Sequence, residues 1–263
     1  PVQLPYTEDF ELVKGEGTGP GLTNGMTFLN GFYFWSVATT AADVVDVISA
    51  STGPRVDHTF GDIRGTFVMT NGLDPRGTAA GIQTRCIDLQ GTKNPEMRYY
   101  YHRFGADMGD FYLQANDDSG WRNIDSIFGN REHRIPLSPW TSKIVSLERY
   151  KGKVIRLRFI SLRGQDEFCS MGLDDISVYD RAARDLAAFN LAEPNTDTSS
   201  CYTIDQEVVV SLLNNGSDSI NFGVDTAKIQ VVIQKSADSV NWVSIDTLYK
   251  CVDKNEFIIV DPI

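Results

Sequence analysis

Residues 153–162 read KVIRLRFISL, and this stretch decides the fold class. In an extended chain Val154, Arg156, Arg158 and Ile160 fall on one side, and Ile155, Leu157 and Phe159 on the other, because side chains alternate along a strand with a period of two. The second set is wholly apolar, so it faces a core while both arginines face away from it.

Working outward, further runs of strand-forming residues appear on both sides. They are GTFVMT (65–70), AGIQTRCIDL (80–89), EMRYYYHRFG (96–105), GDFYLQAND (109–117), WRNIDSIFG (121–129), WTSKIVSLERY (140–150) and GLDDISVYD (172–180). Gly, Pro, Asn and Asp gather between them, as in TNGLDPRGTAAG and LQGTKNPE, which is where turns need left-handed or pre-bent backbone. Many short strands without a sustained helical period predict an all-β sandwich or jelly roll. Only AADVVDV (41–47) and DRAARDLAAF (180–189) read as helical, and the second is short enough to be a linker.

Beyond Asp185 the texture changes. EVVVSLLNNGS, AKIQVVIQKS, WVSIDTLYK and FIIVDPI are strand-like runs joined by Asn-Gly and Ser-Asp turns, and they predict a smaller immunoglobulin-like β-sandwich. Charge marks the same seam: residues 186–263 carry four basic and eleven acidic residues, against twenty and twenty-four in residues 1–185. The expected domains are therefore 1–181 and 182–263. A sequon, Asn215-Gly216-Ser217, falls in one of the second domain's turns.

The net charge of −11 argues against a nucleic-acid partner, which would need a basic face to displace counterions from phosphate. No apolar run approaches the roughly 20 residues that span a bilayer, so no membrane insertion is expected. With 41% hydrophobic residues the chain can bury a core. It opens PVQLPYTEDF, with no initiator Met, basic start or apolar run, and reads as a mature form or a piece of something longer.

Cys86, Cys169, Cys201 and Cys251 form no CxxC pair, so zinc and dithiol redox sites are poor readings. Four cysteines allow three connectivities. Parsimony favours one bridge per domain, Cys86–Cys169 and Cys201–Cys251, formed in an oxidising compartment. The alternative is that some are buried thiols.

Several motifs in the first domain occur in a telling order. Asp9-Phe10-Glu11 and Trp35 come first, then Gly53-Pro54, Asp57-His58-Thr59 and Gly65. Tyr101-His102, Gly105 and Gly109 follow, then Trp121 and Trp140 with Val145 and Leu147, and last Gly172-Leu173-Asp174-Asp175-Ile176. Together they resemble the MAM domain, the extracellular module of meprins and receptor tyrosine phosphatases, over most of residues 7–180. Bacterial cleaved-adhesin domains share this jelly-roll plan and the EDFE opening. No cysteine stands just before Met97, so the family's usual disulfide pattern does not carry over. In the second domain, Asp185-Leu186, Pro194, Cys201, Glu207–Val210 and Asn214-Asn215-Gly216 resemble Ig-like modules repeated in large secreted proteins of Bacteroidetes.

The resemblance implies a MAM-like jelly roll followed by an Ig-like module, secreted or at a cell surface, with a structural calcium or sodium ion. Its ligands would be Glu11, Asp57, Thr59 and Asp174, with Asp9 and Asp175 as alternates. Calcium takes six to eight oxygens, and carboxylates left without their cation would repel one another. Trp35, Trp121 and Trp140 match core positions of the family.

Catalytic motifs are not evident. His58, His102 and His133 stand in DHT, YHR and EHR, with no HExxH helix and no GxSxG elbow. Asp174 and Asp175 would point to opposite faces of one strand, which precludes a glycosidase dyad between them. His102 reads as a satisfied strand histidine. The run Tyr99-Tyr100-Tyr101 invites a sugar-stacking reading, but at least one of its two faces must be core. The chain is thus expected to be a non-catalytic adhesion or ligand-binding region with an extracellular protein or glycan as partner. The alternatives are an accessory C-terminal region of a secreted hydrolase such as a metalloprotease, or a carbohydrate-binding module.

Overall fold

The structure, a computed structural model, describes residues 1–12, 23–29, 35–39, 52–70, 72, 79–129, 132–165, 167–193, 208–222, 224–235, 240–241, 243–252 and 259–260. It divides into two compact units, Pro1–Asp180 and Arg181–Ile263.

The first unit is a sandwich of two antiparallel sheets. One contains β1 (Tyr6–Glu8), β3 (Trp35–Ala38), β4 (Phe67–Thr70), β7 (Pro95–Arg103), β10 (Thr141–Ser146) and β12 (Met171–Asp180), ordered β10-β7-β12-β4-β3 with β1 also on β12. The other contains β2 (Thr27–Leu29), β5 (Ala79–Gln83), β6 (Ile87–Asp88), β8 (Phe111–Asn116), β9 (Trp121–Ile127) and β11 (Val154–Leu162), ordered β2-β5-β11-β8-β9 with β6 also on β11. Neighbours such as β12 and β4 lie about a hundred residues apart in sequence, as crossing between the sheets of a jelly roll requires. Among the described residues no α-helix occurs, only short 3₁₀ turns at Thr23–Gly25 and Glu148–Tyr150.

Strand β11 sits at the centre of its sheet and alternates as its sequence predicts: Ile155, Leu157 and Phe159 are buried, and Arg156 is exposed. Between the sheets Phe159 meets Tyr99 edge-on at 5.4 Å and Phe111 at 5.9 Å. Burying each of these rings contributes about 2–3 kcal/mol. Tyr99 keeps its hydroxyl paired by donating to Asp125 at 2.6 Å, and Lys143 neutralises that carboxylate at 2.7 Å.

The second unit is also β-structured. Its pairs are β13 (Leu186–Glu193) with β14 (Val209–Asn214), β15 (Ile220–Asn221) with β18 (Ile259–Val260), and β16 (Ala227–Lys235) with β17 (Val243–Val252). Its small core gathers Leu186, Ala227 and Ile229 around Ile220 and Phe222.

Three expectations need correction or fall outside view. Residues 186–189 are strand rather than helix: Ala187 and Ala188 pair with Leu213 and Leu212, and this pairing overrides the helical propensity of alanine. The Cys86–Cys169 bridge is absent. Cys86 follows β5 with its Sγ 3.1 Å from Arg156 Nε, whereas Cys169 is buried before β12 in the opposite sheet, near the Gly72 carbonyl. The 41–47 helix, Cys201 and the side chain of Cys251 lie outside the described residues, and with them the Cys201–Cys251 pairing.

Candidate functional site

Strand β12 runs antiparallel to β1, β4 and β7, and its register with β7 slips between Asp174 and Ser177. The extra residue of this bulge is Asp175, in the left-handed region at φ 43°. Alternation fails here, so the two acids do not face opposite ways as a regular strand would dictate. Asp174 Oδ2 accepts the His58 backbone N–H at 2.9 Å, and Asp175 Oδ2 lies 2.5 Å from His58 Nδ1. Both carboxylates reach one residue of the 52–66 loop.

That loop is packed over the sheet by the residues that carry the family resemblance. A Cβ on Gly172 would lie 2.8 Å from Pro54 and from Trp140, so only glycine admits both rings over β12. Trp140 Nε1 donates to the Val56 carbonyl at 3.1 Å. The His58 ring stacks on Tyr100 with centroids 3.6 Å apart. Asp57 is fully buried, its carboxylate accepting from the backbone N–H groups of Phe60 at 2.7 Å and Asp62 at 3.1 Å. It fills the space where a side chain on Gly65 would be, 2.0 Å from that Cβ.

The residues expected as cation ligands thus gather at one seam but are engaged separately. Glu11 Oε1 accepts the Thr66 N–H at 2.9 Å, and the Thr59 hydroxyl donates to Asp175 Oδ1 at 3.0 Å. Asp9 Oδ1 accepts the Glu11 N–H at 3.2 Å. Among the described residues no three His, Cys, Asp or Glu side chains are gathered to hold one metal ion. The negative charge is nonetheless concentrated. Burial, followed by Asp175 and then Asp57, raises the Asp174 carboxyl well above its ordinary range. Glu11 is raised by burial and by Asp57, Asp9 and Asp175, against the lowering effect of the Thr66 N–H. Oxygen donors and surplus negative charge suit a hard cation in chemistry. Four ligands already turned toward one centre are not what this seam presents.

His58, Asp175 and Tyr100 complete the seam, and the sequence reading did not group them. The signal was the left-handed tolerance of Asp at a bulge, which the doublet Asp174-Asp175 hides.

His102, His133, Tyr99 and Tyr101 are structural. His102 is fully buried, stacks on His133 at 4.1 Å and edge-on to Trp140. Its ring nitrogens have no partner at full hydrogen-bonding distance, only a weaker interaction with the Ser138 backbone, so stacking is its main contact and the expected satisfied histidine is only partly satisfied. Burial, then His133, lowers its pKa to about 3. His133 Nδ1 accepts the Arg103 N–H at 2.9 Å. Tyr99 and Tyr101 belong to the core, which removes them as a sugar platform. Of the three tryptophans expected in the core, Trp35 is buried and Trp140 packs on the core, but Trp121 lies half-buried on the outer face of its sheet under Arg158.

The fold and the motif-packed seam define a jelly-roll module of two antiparallel sheets with a loop pinned across one of them. Residues 30–182, more than half of the chain, match the family "MAM domain, meprin/A5/mu", and the chain belongs to that family. Among solved structures it is similar to the K1 cleaved adhesin domain of Lys-gingipain from Porphyromonas gingivalis W83, with 12% identity over 68% of this chain and 99% of that one, TM-score 0.44. The K3 domain of the same protein gives 16% identity over 66% and 96%, TM-score 0.41. The CBM22-1–GH10 modules of Clostridium thermocellum xylanase 10B give 12% over 68% and 29%, TM-score 0.35.

Proposed function

We propose that the chain is a non-catalytic binding region of a secreted or cell-surface protein. The MAM domain would engage an extracellular protein or glycan, and the second unit, an Ig-like module, would act as a spacer. The observation that carries this reading is how the polar groups of the motifs are used. Asp57 and Asp174 are fully buried with their oxygens on backbone N–H donors, and His102 and His133 are stacked in the interior. These groups fix a loop to a sheet and present neither nucleophile nor base to a substrate.

The same reading includes a calcium or sodium ion at the seam, held by Glu11, Asp57, Thr59 and Asp174 and structural in role. Its support is the surplus of negative charge at Glu11 and Asp174. The carboxylates would turn from their backbone donors to take it. A cation bound only to the folded state stabilises by mass action, so calcium should raise the melting temperature of the chain and chelator should lower it. A melting curve indifferent to both removes the ion.

The binding reading is tested by probing the intact chain against immobilised extracellular proteins and a glycan array, with hydrolysis monitored on the same panel. Binding without turnover is expected. Turnover of any bound partner would overturn the non-catalytic reading.

A further inference from the structure

The outer face of the β11 sheet carries a row of polar side chains running straight across five strands. The register places Thr27, Gln83, Arg158, Gln114 and Asn123 side by side. Adjacent strands lie about 4.8 Å apart, so this row is about 19 Å long. Three of its members are tied together: Arg158 Nε donates to Gln114 Oε1 at 2.6 Å, and Gln114 Nε2 donates to Asn123 Oδ1 at 2.5 Å. The Trp121 ring lies against the Arg158 guanidinium at 4.0 Å. A planar guanidinium held this way keeps its terminal N–H groups in a fixed fork.

Charge on this face runs against that of the molecule. The chain carries −11, yet the polar row has no acid, and neither Arg156 nor Arg158 makes an ion pair among the described residues. The acids at the rim are engaged locally: Asp88, opposite Val154, accepts from Gln3 and Gln90, Asp110 accepts from Tyr112 and Gly129, and Asp117 pairs with Lys153 at 2.6 Å. At the β2–β5 end the row opens into a cleft of about 370 Å³ lined by Thr27, Gln83, Arg85 and Arg156. Three guanidinium groups thus follow one another from the cleft to Trp121.

We infer that this face binds an acidic polysaccharide, a chain of sugars bearing carboxylate groups, laid from the cleft across Arg158 to Trp121. The inference rests on the binding reading above and names its ligand class and surface. Guanidinium forks match carboxylates through paired N–H donors, side-chain amides match hydroxyls as both donor and acceptor, and the exposed part of the Trp121 ring offers a flat apolar surface to sugar C–H groups. An acidic peptide would share only the first of these features.

The test is affinity electrophoresis and calorimetry of the intact chain with polygalacturonate and alginate, with xylan and laminarin as neutral controls and poly-glutamate as the peptide control. The acidic polysaccharides should bind, more weakly as salt is raised. R158Q and W121A should each weaken binding about tenfold or more. R156Q, at an exposed position, should also weaken it and guards against a folding defect in the other two. The inference is overturned by absence of binding to both uronate polymers, by equal binding to the neutral glycans or poly-glutamate, or by binding that all three variants retain. A partner found on the wider panel and bound equally by the variants would sink this face yet leave the chain a binding region; silence across every panel would sink both.

Discussion

At the bulge of β12 the charged groups turn inward, and on the outer face of the β11 sheet they turn outward. Asp57 and Asp174 are completely buried, and their oxygens are taken up by backbone donors, three from the 52–66 loop and one from Asp175. Arg158, one sheet away, is half-buried against Trp121 with no carboxylate beside it. The first arrangement organises the fold, since a buried carboxylate is tolerated only where hydrogen bonds replace its hydration. The second leaves guanidinium groups available to a ligand. The contrast teaches that burial, not charge sign, sorts these groups: Asp57 and Asp174, like the buried Arg103 and Arg163 on backbone carbonyls, are architecture, and the outward Arg156 and Arg158 are the candidates for recognition.

The sharpest way to break this contrast is to alter residues on both sides. Asp57→Ala leaves the N–H groups of Phe60 and Asp62 without acceptors and should cost about 3 kcal/mol of unfolding free energy. R158Q and W121A should cost about 1 kcal/mol or less, because they alter a partly exposed surface. Urea denaturation of the three variants measures this directly. Equal losses would mean that the outer row is as structural as the seam.

How much of this was legible in the sequence depends on whether a local rule or a distant contact decides. The alternation of residues 153–162 is local, and β11 follows it. The glycines at 65 and 172 were legible as motif members, but their reason was not. Gly65 makes room for the Asp57 carboxylate and Gly172 for Pro54 and Trp140, contacts fixed only by the assembled sheet. Trp121 was assigned to the core because a large aromatic residue belongs there by resemblance. Its pairing with Asn116 instead places it on the outward side of β9. A count of cysteines carries no information on which sheet each one joins, which is why the Cys86–Cys169 bridge failed.

A second experiment separates the interior stack from the surface by pH. The His102 pKa is about 3 when folded, against an ordinary value of 6.5. Between these values the unfolded chain takes up a proton that the folded chain refuses, so the unfolding free energy must fall as pH falls. The slope approaches about 1.4 kcal/mol per pH unit from this residue alone. His133, also lowered by burial, adds a contribution of the same sign. Urea midpoints from pH 7 to pH 4 should therefore decline steeply in the parent chain and less steeply in His102→Asn, whose replacement does not titrate. Parallel declines would show that His102 is protonated in the folded protein.

The smallest expected effect concerns the bulge that brings the two acids to one loop. Asp175 holds φ at 43°, where a side chain with a Cβ costs about 1 kcal/mol relative to glycine. Asp175→Ala and Asp175→Gly lose the same contacts to His58 and Thr59, so the difference between them isolates the backbone. Asp175→Gly should be the more stable of the two by about 1 kcal/mol, less the entropy that glycine adds to the unfolded chain. If alanine proves equal or better, the left-handed bulge is not maintained in solution. Asp174 and Asp175 would then revert to opposite faces of the strand, and the seam would lose the geometry that lets both of them reach His58.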